Sequence, residues 1–145
     1  NKHFRHDKPW NNEQNNKIIA IMPQVYINPR APTEPGKTYY KVFVGGGAIF
    51  DRDPRLTRNL ANIIDGSSNT IMIAEGGEPV VWTKPDDFDF DPKKPVPKLG
   101  IPGVNGINVC MADGSVRFMN PETVPEQTLK LLIQANDGMP IPGDW

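Results

Sequence analysis

The sequence predicts an α+β domain: a loop-rich antiparallel β-sheet with a C-terminal β-hairpin and a helix packed on it. Three observations carry that reading. Around Asp113-Gly114, residues 107–118 hold two runs of alternating apolar side chains. This is a hairpin signal, because Asp and Gly both accept a positive φ at little cost. Residues 38–44 (TYYKVFV) and 70–75 (TIMIAE) have the β-branched and aromatic content of buried strands. Residues 123–136 place Leu129, Leu132 and Ile133 on one stripe at helical spacing.

A chain of 145 residues suits one domain with one core. Sixteen prolines and 13 glycines make up a fifth of it, so much of the backbone must be loop. The formal charge is −1, from 16 basic and 17 acidic residues, which argues against non-specific nucleic-acid binding, since that needs a basic face. Mean hydropathy is −0.49, and no apolar run approaches the roughly 20 residues that span a bilayer. The first residue is Asn rather than Met, and we expect an upstream segment to be missing.

Taken in order, residues 1–10 are polar and aperiodic, and His3 and His6 lack a third ligand to make a metal site. Residues 11–22 read as a short helix capped by Asn11 or Asn12, with Ile18, Ile19 and Met22 as its apolar edge and Pro23 as its stop. Val25-Tyr26-Ile27 reads as a short strand. Residues 28–37 form a proline-rich loop. The strand at 38–44 ends at three glycines, which lack the Lys-Ser/Thr of a phosphate loop and read as a turn. Residues 51–62 are charged and irregular, with one helical turn expected at Leu56–Leu60. Residues 65–70 are dense in side chains that bond their own backbone, so an Asx-type or ST-type turn is expected. The strand at 70–75 should stop at Gly76-Gly77, with residues 79–83 pairing separately. The hairpin strands are expected at about 107–112 and 115–119. In the final helix, Thr123 and Glu126 fit a capping box, Pro125 fits the first turn, and Gly138 fits a C-terminal cap.

Chemistry is harder to find. Cys110 is the single cysteine, mid-strand, with neither histidine near it in sequence. Asp86 with Asp87, or Glu75 with Asp113, are pairs that could act as acid and base only if the fold brought them together. Asp87, Asp89 and Asp91 share the D-x-D-x-D spacing that opens a calcium loop. Pro92 then occupies the glycine position and Lys98 the bidentate glutamate position.

The order of motifs resembles a family of bacterial pilin-like proteins of unknown function. Its members carry a prepilin-type N-terminus and a C-terminal H-x9-DG signature and are similar to general secretion pathway protein G. The matching pieces are Asp65 to Ile71 (DGSSNTI) followed by Glu75; Val81 to Asp86 (VWTKPD); Lys98-Leu99-Gly100; and Asn105 to Phe118 (NGINVCMADGSVRF). Pro9-Trp10 and the helix after it also fit. Asp65, Asn69, Glu75, Trp82, Asp113 and Gly114 are therefore the motif residues. Two positions depart from the pattern. Gly103 stands where the signature histidine would be, and Asn28-Pro29 stands where a Cys-Pro often occurs.

The resemblance implies the head of a non-enzymatic structural subunit in a type II secretion or type IV pilus-like assembly. The head would be periplasmic or at the cell surface, anchored in the inner membrane by an N-terminal helix absent from this sequence. Its partners would be copies of itself or other pilin-like subunits. The resemblance also strengthens Ca²⁺ as a cofactor, with Asp87, Asp89 and Asp91 as ligands. The alternative is an extracytoplasmic module that recognises a polysaccharide or a secreted protein through Trp82 and the 84–102 loop. An enzyme is the third reading, and it needs a pocket joining Glu75 and Asp113.

Overall fold

Ile107, Val109 and Met111 of strand β5 (Ile107–Met111) are all fully buried, while Asn108 and Cys110 between them are half-buried. That alternation sets the two faces of the main sheet. The computed structural model describes residues 4–143 and 145. The sheet also contains β1 (Lys37–Lys41), β3 (Ile71–Val81) and β6 (Val116–Met119), in the order β1-β3-β5-β6 with every neighbouring pair antiparallel. A second, parallel pair joins β2 (Phe43–Val44) to β4 (Phe88–Asp89). Among the described residues no helix is long and apolar enough to cross a membrane.

The α+β architecture, the hairpin and its covering helix are as the sequence predicts. Helix α2 (Glu126–Ile133) buries Leu129, Leu132 and Ile133 in the same cluster as Ile107, Val109 and Met111. Burying each such side chain contributes about 2 kcal/mol. The hairpin turn differs in one respect. No non-glycine residue has a positive φ among those described, so Asp113 stays on the ordinary side and Gly114 alone takes φ 86°. Gly114 N donates to Met111 O, and Met111 N donates to Ser115 O, which makes a three-residue loop rather than a two-residue one. Helix α1 (Glu13–Ile19) is capped as expected, with Asn12 Oδ1 accepting from the amides of Gln14 and Asn15, and it ends before Pro23.

Several expectations are corrected. The 38–44 run splits at Val42 into β1 and β2, because Phe43 leaves the main sheet to stack on Phe88 at 5.2 Å. Ile71–Val81 is one continuous strand, β3, and the glycines do not stop it. Gly76 instead lets residues 99–100 run alongside, with Gly100 N donating to Glu75 O and Gly77 N to Gly100 O. Residues 25–27 are no strand; Gln24–Tyr26 is a 3₁₀ turn, with Ile27 N donating to Gln24 O. The 84–102 loop does not lie wholly in solvent: Phe88, Phe90, Leu99 and Ile101 are buried, and Phe88–Asp89 pairs as β4. In the last helix the capping box does not form. Thr123 Oγ1 donates to Asn120 O and Glu126 pairs with Lys130 at 2.8 Å. That helix ends at Ile133, where Gln134 turns extended and Ala135 N is taken by Gly47 O, so Gly138 is not its cap.

Candidate functional site

An apolar strand that carries a glutamate must either expose it or satisfy it. β3 buries Glu75, at 1% exposure, beside Tyr40 of β1 and Asn108 of β5. Its Oε1 accepts from Asn28 Nδ2 at 2.8 Å and from Asn108 Nδ2 at 3.2 Å. Its Oε2 accepts from Arg30 Nη2 at 2.8 Å and from the Asn108 amide at 2.9 Å. A carboxylate offers about four acceptor positions. All are spent on protein, so Glu75 holds chain together and has no lone pair left for a substrate proton. Arg30 continues the network, with Nη2 donating to Gly106 O at 2.9 Å, Nη1 to Asn105 O at 3.2 Å, and its guanidinium 5.6 Å from the Phe118 ring centre. Burial and the Glu75 charge together push the Tyr40 phenol above its ordinary value.

The other motif residues fall into two places. Asp65 does not close its own turn. Its carboxylate accepts from Asp137 N and Gly138 N, each at 2.8 Å, and so ties the C-terminal tail to the 65–70 segment. Asn69 ends the 3₁₀ turn Ser67–Asn69, with its amide on Gly66 O. That turn meets the hairpin tip, where Asp113 N donates to Ser67 O and Ala112 N to Thr70 O. The two Asp-Gly motifs are thus one contact in space. Asp113 itself is exposed. The Ser115 hydroxyl and amide, at 2.6 and 2.8 Å, hold its carboxyl below the ordinary range. Its partners are separate from those of Glu75, so the two do not form an acid–base pair.

Asp87, Asp89 and Asp91 are not gathered into a ligand set. Asp89 pairs with Arg52, Asp91 accepts from Lys93 N at 2.9 Å, and Asp87 is half-buried. Among the described residues no three His, Cys, Asp or Glu side chains are placed to hold a metal ion. Burial pushes the Asp87 carboxyl up, against a backbone hydrogen bond from Val42. Asp86 is bound to Lys84 at 2.5 Å. His3 lies outside the described residues, and His6 packs edge-on against Phe4 at 5.0 Å. Cys110 is half-buried, with its thiol on Met111 O at 3.5 Å. Gly103 is exposed, and a Cβ there would meet nothing within 4 Å.

Trp82 is half-buried. Its Nε1 donates to Ile19 O at 3.2 Å and its ring lies 5.3 Å from that of Tyr26. Phe88 and Phe90, the aromatics of the 84–102 loop, are in the core. The residues that sequence reasoning missed are Arg30 and Asn28. The one signal for them was the glutamate at the end of an apolar strand, which had to have donors somewhere. Compared with known proteins, the chain matches no family model, no curated sequence and no solved structure. The pilin-like kinship is therefore a resemblance of motifs.

Proposed function

We propose that this domain is the head of a pilin-like subunit and works by assembly rather than catalysis. Function would lie in its surfaces. The upstream helix that the resemblance implies would anchor it in the inner membrane, and its partners would be copies of itself or related subunits outside the cytoplasm. One observation supports this reading above the motif order. Ile21, Val25 and Ile27 are 59%, 76% and 46% exposed along one segment, and Val116 and Phe118 are 66% and 61% exposed on the edge strand β6. A monomer gains nothing from large apolar groups in water, and each of these two segments is a candidate contact surface. An edge strand with free backbone groups is also open to pairing.

The test is fractionation and cross-linking of the full-length protein in its own cell. The expected result is membrane association, with a ladder of cross-linked species that thins when Phe118 and Val25 are replaced by lysine. A full-length protein that is monomeric in the cytosol overturns the proposal.

A further inference from the structure

The N-terminal segment and the end of β3 enclose an open cleft of about 520 Å³, which the Glu75 network does not touch. Phe4, Lys8, Trp10, Trp82, Thr83 and Lys84 are among its lining residues. We propose that this cleft binds a carboxylated oligosaccharide, of the uronic-acid class. The inference does not depend on the assembly reading.

The volume falls within the range of small-ligand sites. The walls are aromatic, and a sugar ring has one face of C–H groups that packs on an aromatic face carrying negative π density. Trp82 is held for this role. Its indole N–H is spent on Ile19 O and one neighbour is Tyr26, so the ring offers surface rather than a donor. That feature disfavours a polyproline peptide, whose carbonyls would need the indole donor. The charged residues of the lining, Lys8 and Lys84, are both basic. Among the described residues Lys8 forms no ion pair, while Lys84 holds Asp86 with one of the three donors of its ammonium. Aromatic side chains and two ammonium groups together fit a ligand with flat apolar faces and carboxylates.

The test is calorimetric titration of the 145-residue chain with a galacturonate hexamer, with cellohexaose, and with a hexaglutamate peptide. The expected result is saturable binding of the galacturonate hexamer that weakens with added salt. Trp10→Ala should weaken it about tenfold. Lys8→Gln with Lys84→Gln, which changes only exposed side chains and leaves the fold intact, should weaken it several-fold and flatten the salt dependence. Three results would each overturn the proposal: no saturable binding up to about 10 mM, equal binding of cellohexaose or hexaglutamate, or full affinity in the lysine double variant.

Discussion

Arg30 Nη2 and Glu75 Oε2 are 2.8 Å apart, although one sits in a proline-rich loop and the other in the middle of the longest strand. The carboxylate side chain is 1% exposed and the guanidinium 29%. Removing the cation would leave a buried charge held only by Asn28 and Asn108. Breaking such a pair from one side costs about 3–5 kcal/mol. With those two asparagines remaining, Arg30→Ala should cost about 3 kcal/mol. Arg30→Lys keeps the charge but loses the fork that reaches Gly106 O and Asn105 O, so it should fall between. Urea denaturation of the three proteins measures this. A midpoint for Arg30→Ala equal to that of the parent would refute the clamp.

The second tie is Asp65. Its two oxygens take the amides of Asp137 and Gly138, and no other hydrogen bond joins the 65–70 segment to that tail among the described residues. Asp65→Ala should therefore cost about 1.5–3 kcal/mol, the range for hydrogen bonds to a charged group. It should also speed amide exchange at residues 137 and 138 while leaving the hairpin amides slow. Equal acceleration everywhere would mean the residue acts on global stability alone.

Asp87 and Asp113 respond to pH in opposite directions. The Asp87 carboxyl is raised above its ordinary 3.8 by burial, so its protonated form favours the fold. That contribution is complete below 3.8 and is lost as pH rises through the folded value. Asp113 is lowered by the Ser115 hydroxyl, so its contribution is present above 3.8 and is lost as pH falls through the folded value. Asp87→Asn should then be more stable than the parent at neutral pH, with the difference vanishing in acid. Denaturation midpoints at both pH values decide it, and a less stable Asp87→Asn at neutral pH would reverse the sign.

Calcium gives a further check. With Asp89 on Arg52 and Asp91 on the Lys93 amide, the three carboxylates would have to break existing contacts to share one ion. The melting midpoint should be the same with and without millimolar Ca²⁺, since only a ligand that binds the native state raises it. A clear rise would restore the acidic loop as a metal site.

The legible parts of this fold are those governed by local rules. The hairpin at Asp113-Gly114, the Leu129–Ile133 stripe and the Asn12 cap follow from short spacing, and each is where the sequence places it. The illegible parts depend on partners far away in sequence. Val42 marks a change of sheet only because Phe88 and Phe90 arrive to pack on Phe43. The capping box at Thr123 loses to Asn120 O and Lys130, two equally local alternatives that spacing alone does not rank. For the candidate sites, Glu75 and Trp82 stood out by type. Their partners Arg30, Asn28 and Ile19 are 45 to 63 positions away, a range at which one sequence has no signal.

Gly76 is where a local rule fails most plainly, and it gives the sharpest mutational test. Two glycines after an apolar run normally end a strand. Here the absent side chain admits another backbone: a Cβ at Gly76 would lie 2.6 Å from Gly100 N and 2.9 Å from Leu99 Cα. Neither atom can swing aside as a side-chain tip would. Gly76→Ala should push residues 99–100 off β3, breaking the bonds from Gly100 N to Glu75 O and from Gly77 N to Gly100 O. Leu99, which those bonds hold in the core, would loosen with them. Gly114→Ala is the control. Its φ of 86° is strained for alanine, but a Cβ there meets nothing within 4 Å. The control should cost about 1–2 kcal/mol from strain alone. Gly76→Ala should cost about 3 kcal/mol or more, because overpacking adds to any backbone strain. Urea midpoints of the two variants separate the terms. If Gly76→Ala is no worse than Gly114→Ala, the close approach of residues 99–100 to β3 is wrong, and with it the path of the segment that carries Leu99 into the core.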